Sequence, residues 1–124
     1  MNVVDSSGWM EFFTDGLNAS FFASAILRSA DLIVPTISLY EVFKKILTET
    51  GDPNAALQAV NQMKQGEIVD LTEEIALEAA TLSCELKLPM ADSVLLATAR
   101  RRNATLWTQD ADFEDVKGVK YIKK

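Results

Sequence analysis

Short apolar runs alternate with helix-patterned segments along the whole of this chain, and that alternation leaves few folds open. Asn2-Val3-Val4-Asp5 reads as a short buried strand. Ser6 and Ser7 offer N-caps for a helix through Trp9-Met10-Glu11-Phe12-Phe13, which Asp15-Gly16 breaks. Asn18 to Ala30 reads as a second helix, with Phe21, Phe22, Ala25 and Leu27 as its apolar content. Asp31-Leu32-Ile33-Val34 is a strand stopped by Pro35. From Thr36 to Thr50, the apolar residues Leu39, Val42, Phe43, Ile46 and Leu47 recur with helical spacing, and Gly51 ends the run. Pro53 suits the first turn of a helix to about Gln65, closed by Gly66. Ile68-Val69-Asp70-Leu71 is a strand, and Thr72 caps a helix from Glu73 to Lys87. After Leu88-Pro89-Met90, a helix from Asp92 ends in Arg100, Arg101 and Arg102. Ala104–Thr108 and Val119–Ile122 are the last strands. Such short apolar strands are expected where both faces of a sheet are covered. The predicted fold is α/β: a three-layer α/β/α sandwich around a short, mostly parallel sheet of four or five strands. At 124 residues it forms a single domain, 1–124.

What such a domain can do is narrowed by what it lacks. There is no histidine, so Ser-His-Asp catalysis, Cys-His catalysis and histidine-liganded metals are excluded. The one cysteine, Cys84, forms no intrachain disulfide; its apolar helical neighbours predict a buried thiol. Carboxylates, hydroxyls and lysines are left to carry any chemistry. A carboxylate-only metal site selects hard cations such as Mg²⁺ or Mn²⁺. Met1-Asn2-Val3-Val4-Asp5 is no secretory n-region, and Phe21–Leu27 is too short to span a bilayer, so a cytoplasmic protein without membrane contact is expected.

The formal net charge is −6, unevenly spread. Residues 1–99 hold 14 acids and 5 bases, whereas residues 100–124 hold 4 acids and 7 bases. The latter bases are Arg100, Arg101, Arg102, Lys117, Lys120, Lys123 and Lys124. They suit either a polyanion or simple solvation of a helix end and a tail.

In an open parallel sheet, ligands bind beyond the carboxyl ends of the strands. Asp5 ends the first strand, and Asp110 and Asp112 follow Thr105-Leu106-Trp107-Thr108. Glu41 lies in the first turns of the helix after Leu32-Ile33-Val34. Asp92 shares a helical stripe with Leu95, Leu96 and Ala99, so its carboxylate is half-buried and needs a partner. Each acid also has a purely structural explanation. Asp92 would be an N-cap, Glu41 the last residue of a capping box Ser38-Leu39-Tyr40-Glu41, Asp5 the acceptor of an Asx-turn, and Asp110 and Asp112 turn residues. Their shared location favours a site, because clustered acids repel one another and a divalent cation relieves that.

Four segments carry a resemblance. Asn2-Val3-Val4-Asp5-Ser6-Ser7, Ser38-Leu39-Tyr40-Glu41-Val42, Ala91-Asp92-Ser93-Val94-Leu95-Leu96-Ala97-Thr98-Ala99 and Leu106-Trp107-Thr108-Gln109-Asp110-Ala111-Asp112-Phe113 occur in the order seen in PIN domains. The chain most resembles the VapC-type toxins of prokaryotic toxin–antitoxin pairs, over essentially its whole length. The resemblance implies a Mg²⁺-dependent endoribonuclease, held inactive by a cognate antitoxin and paired as a homodimer. It implies that Asp5, Glu41, Asp92 and Asp110 are the acidic quartet, with Asp112 accessory, and that Ser6 and Thr108 line the site. Gly8 departs from the family, where a larger apolar residue is common. On that basis Asp5 and Asp92 are expected to ligate metal, with Asp110 a ligand directly or through water. Glu41 holds a second metal or orients the attacking water, and Asp112 acts from behind the ligands. Arg100, Arg101 and Arg102 are candidates for the RNA backbone, or caps for the helix end. The aromatic-rich stretch Trp9, Phe12, Phe13, Phe21 and Phe22 is core, with any exposed part a groove for an apolar antitoxin helix.

Two other functions fit an acidic α/β domain. A receiver-like phosphotransfer domain places an acid pair after its first strand and a phosphoacceptor after its third. Here Asp5 stands alone, and Ile68–Leu71 runs straight into a helix. A non-catalytic PIN-fold module would only dock a partner, and the intact acidic set argues against it.

Overall fold

The computed structural model describes residues 1–124. In chain order the elements are β1 (Asn2–Val4), α1 (Ser6–Phe13), α2 (Ala19–Ile26), β2 (Leu32–Pro35), α3 (Thr36–Thr50), α4 (Pro53–Met63), β3 (Glu67–Val69), α5 (Glu73–Leu86), α6 (Met90–Arg101), β4 (Thr105–Thr108) and β5 (Val119–Tyr121). Short 3₁₀ turns occupy Ser29–Asp31 and Ala111–Phe113.

All five strands are parallel, in the order β3-β2-β1-β4-β5. Neighbouring side chains on each strand face opposite layers. Val4, Leu32, Val34 and Trp107 pack with Trp9, Phe22, Val42 and Met63 of α1–α4. Val3, Ile33 and Leu106 pack with Leu95, Leu96 and Ala99 of α6 and with Leu88 and Phe113. Helices therefore cover both faces, giving the expected three layers, with a sheet wholly parallel.

Connections run leftward from β1 to β2 and β3, and rightward to β4 and β5, so the strand order reverses between β1 and β4. Backbone ends diverge at such a point and leave a crevice at the carboxyl edge. Asp5 and Asp110 both lie there, directly after β1 and closely after β4.

Several local expectations shift. Asp5, and neither serine, is the N-cap of α1: its side chain accepts from the Gly8 N–H. The second helix stops at Ile26, leaving Leu27 69% exposed. Pro35 completes β2 and opens α3, so Ser38 and Glu41 fall inside the helix and form no capping box. Along α3, Val42 and Ile46 are buried while Leu47 is exposed. β3 begins at Glu67 and ends at Val69, earlier than its apolar run implied. Helix α6 begins at Met90 with Pro89 as N-cap, which puts Asp92 in the first turn and not at the cap. Cys84 is exposed, because the buried stripe of α5 runs through Ile75 and Ala79. No helix is long and apolar enough to cross a membrane.

At Gly8, α1 lies tight against Phe22 and Val4. A Cβ there would stand 2.6 Å from the Phe22 ring and 2.7 Å from Val4 Cγ1. Phe22, fully buried, fills the space a larger residue at position 8 would need.

Candidate active site

The acids are delivered by four different elements. Asp5 is held at the end of β1 with 2% exposure. Its Oδ1 accepts from Ser7 Oγ (2.7 Å) and the Gly8 N–H (2.8 Å), and its Oδ2 accepts from Thr108 Oγ1. Thr108 Oγ1 also accepts from the Asp110 N–H at 2.9 Å, so one hydroxyl ties the ends of β1 and β4 together. Asp110 in turn accepts from the Asp112 N–H at 2.9 Å, which folds the turn after β4. Asp5 and Asp110 therefore hold their turns and still lie at this edge of the sheet.

One carboxylate oxygen from each of Asp92, Asp110 and Asp112 lies within 4.8 Å of the others. Asp112 thus stands with Asp92 and Asp110 and not merely behind them. Asp5 lies outside this tight trio, with both oxygens already engaged. It still belongs to the same electrostatic cluster, since the Asp5, Asp110, Glu41 and Asp112 charges all act on Asp92. Partial burial, helped by those neighbours, pushes Asp92 up to about 7. Burial also raises Asp5, against hydrogen bonds from Thr108, Ser7 and Gly8. Glu41 is raised by burial, with a Ser6 hydrogen bond working the other way.

None of the five acids is in an ion pair: the salt bridges join Arg28–Asp31, Lys45–Glu49, Arg101–Glu78 and Arg102–Glu67. Glu41 Oε1 is buried without a hydrogen-bond partner, as is Ser38 Oγ one turn earlier on α3. An all-oxygen donor set with uncompensated charge and an orphaned buried oxygen fits a hard divalent cation. Asp92, Asp110 and Asp112 could hold it, with Glu41 and Asp5 adding charge.

The fold has known relatives. The PIN domain family profile matches residues 3–119. The chain belongs to the PIN domain family. A search of curated protein sequences found no significant match. Among solved structures, this PIN domain is similar to a chain of a toxin–antitoxin complex from Klebsiella pneumoniae, at TM-score 0.79 and 21% identity, covering 97% of this chain and 96% of that one. It is similar to VapC20 of Mycobacterium tuberculosis, described as a sarcin–ricin loop cleaving toxin, at TM-score 0.78 and 15% identity over 100% of both chains. It is also similar to a chain of VapBC2 from Rickettsia felis bound to a promoter DNA fragment, at TM-score 0.74 and 13% identity, covering 98% and 97%. At these identities the likeness is one of fold.

Not every candidate residue reaches the site. Arg100, Arg101 and Arg102 close the far end of α6, about 12–15 Å along the helix from Asp92 at ~1.5 Å per residue. All three are engaged there. Arg100 donates to the Lys117 carbonyl (3.0 Å), Arg101 pairs with Glu78, and Arg102 grips both oxygens of Glu67 at 2.8 and 2.9 Å. Glu67 begins β3, so these cations line the amino edge of the sheet, opposite the acids. Conversely, the sequence reading passed over Ser7, Gln109, Asn18 and Lys45. Gln109 is only 5% exposed and Ser7 contacts Asp5. Gln109 lies inside the Thr108–Asp112 segment already singled out, and its burial was the missing information.

Proposed function

We propose that this PIN domain is a Mg²⁺-dependent endoribonuclease and the toxin of a toxin–antitoxin pair. The reading rests on one observation above the others: five acids from four elements meet at the switch point of the sheet without a single basic partner. The fold similarity to toxin chains supports the biological role.

Hydrolysis of a phosphodiester adds a water oxygen to phosphorus, breaks the bond to the leaving oxygen, moves one proton from the water and supplies one to the leaving group. A bound Mg²⁺ or Mn²⁺ would neutralise phosphoryl charge and lower the pKa of a nearby water. Asp92, Asp110 and Asp112 offer the open carboxylate oxygens to hold it. Asp5, buried and fully hydrogen-bonded, fixes the ends of β1 and β4 and adds negative charge behind them. Glu41, on the wall of the open cleft, orients the attacking water and receives its proton; burial raises this carboxyl, which strengthens it as a general base. Thr108 holds Asp5 in register, and the Ser6 hydroxyl beside Glu41 favours its ionised form.

The antitoxin reading has its own support. A cleft of about 340 Å³ among α1, α3 and α4 presents Met10, Phe13, Ile46, Ala55 and Ala59. It shares Met10, Thr14 and Glu49 with the polar cleft that contains Glu41. An apolar antitoxin segment seated there would end against the active site and block it. Pairing of two copies is supported by the exposed apolar side chains Leu71, Leu77 and Met90 beside α5 and α6.

The decisive test is a Mn²⁺ titration followed by spin resonance. Saturable binding is expected in the wild type, and loss of it in Asp92→Asn with Asp110→Asn. Equal binding by both proteins would refute the metal site and the mechanism with it.

A further inference from the structure

Parallel strands bring every carboxyl end to one edge, and that includes β5. Lys123 and Lys124 follow β5 as Asp110 follows β4, so they arrive at the acidic edge. This segment is tied down. Asn18 Nδ2 donates to the Lys123 carbonyl (3.2 Å) and to Gln109 Oε1 (2.9 Å). The buried Gln109 turns its Nε2 toward the Ser7 carbonyl (3.5 Å), and Ser7 Oγ donates to Asp5. A polar chain thus runs from Asp5 through Ser7, Gln109 and Asn18 to Lys123.

Two open clefts meet over this chain. One, about 470 Å³, has Glu41 and Lys45 on one wall and Lys124 on the other. The second, about 460 Å³, lies between Asp110, Tyr121, Lys123 and Lys124. They share Ser7, Gln109 and Lys124, so together they form one track past the acids. Neither Lys123 nor Lys124 is in an ion pair, whereas all three arginines are engaged at the opposite edge.

We propose that Lys123 and Lys124 bind the substrate's phosphates beside the scissile one, and that Gln109 and Asn18 are positioning residues that hold them there. The proposal takes its substrate class from the ribonuclease reading. An acidic cluster repels an RNA strand everywhere except at the phosphate a metal neutralises. Flanking phosphates therefore need cations of their own, and flexible ammonium groups supply them as point charges.

The test is binding of a short labelled single-stranded RNA by fluorescence anisotropy, over a salt series, with Ca²⁺ replacing Mg²⁺ to slow cleavage. Lys123→Gln with Lys124→Gln is expected to weaken binding about tenfold at low salt. It should also flatten the slope of log affinity against log salt by about 1.4, at about 0.7 per lost phosphate contact. Mn²⁺ binding by the same variant should not weaken. Asn18→Ala, which keeps both lysines but frees the segment, should weaken RNA binding in the same direction. Arg100→Gln with Arg101→Gln removes equal charge at the far edge and should leave the slope unchanged. An unchanged slope in the lysine variant, or an equal loss in the arginine variant, overturns the proposal. Unchanged binding by Asn18→Ala overturns the positioning role. A wild type that binds no RNA instead overturns the ribonuclease reading beneath it.

Discussion

Asp5 uses both carboxylate oxygens inside the protein, one capping α1 and one receiving Thr108, so hydrogen bonds from α1 and β4 favour its ionised form against the burial that raises it. Asp92 has no such support. Its carboxyl holds a proton up to about 7 when no metal is present, far above its ordinary 3.8. In the unfolded chain the same group ionises near 4. It therefore favours the folded state fully below about pH 4, and that advantage is lost as pH rises from about 4 through 7. For a partly exposed group screened by solvent, the resulting penalty at pH 8 is about 2 kcal/mol. Asp92→Asn should thus raise the melting temperature of the metal-free protein at pH 8 and change it little at pH 4. Thermal melts in a chelator check this, and a variant that is destabilised at pH 8 would contradict it.

Whole elements were readable from the sequence because apolar spacing sets them, and all five strands and six main helices lie where alternation and periodicity put them. Their ends were less readable. The Ser38-x-x-Glu41 pattern resembles a cap, but Pro35 already opens α3, and local patterns cannot show which of two starts wins. Asp92 looked like a cap for the same reason, with Pro89 capping α6 three residues earlier. The arginine cluster misled because a helix carries its last turn away from its first. The same carboxyl-edge rule, applied to β5 as well as to β1 and β4, brings Lys123 and Lys124 to the acidic edge. Packing between α1 and α2 was the other hidden quantity, since nothing local says that Phe22 fills the space above Gly8. Gly8→Ala is expected to destabilise the fold by about 1–3 kcal/mol through overpacking. Urea unfolding measures it; a neutral result would mean that Phe22 moves freely.

At the scale of the molecule, a net charge of −6 and the absence of histidine look unsuited to the ribonuclease proposed above. The fold resolves this by concentrating five acids at one edge and leaving lysines beside them. Two consequences follow for the intact protein. Mn²⁺ or Mg²⁺ at about 100 times its dissociation constant should stabilise the fold by about 2.7 kcal/mol, or on the order of 10 °C in Tm, with the effect abolished in Asp92→Asn with Asp110→Asn. A scanning calorimetry series over metal concentration reads this, and a Tm independent of metal would contradict it. Cleavage of RNA at this acidic edge is read by incubating wild-type protein and Asp92→Asn with total RNA in Mg²⁺ or in chelator. Discrete cleavage is expected from the wild type in Mg²⁺ alone, with a loss on the order of 100-fold or more in the variant, since a metal's charge stabilisation is worth several kcal/mol. Cleavage that persists in chelator, or in Asp92→Asn at the wild-type rate, would contradict the Mg²⁺-dependent ribonuclease reading.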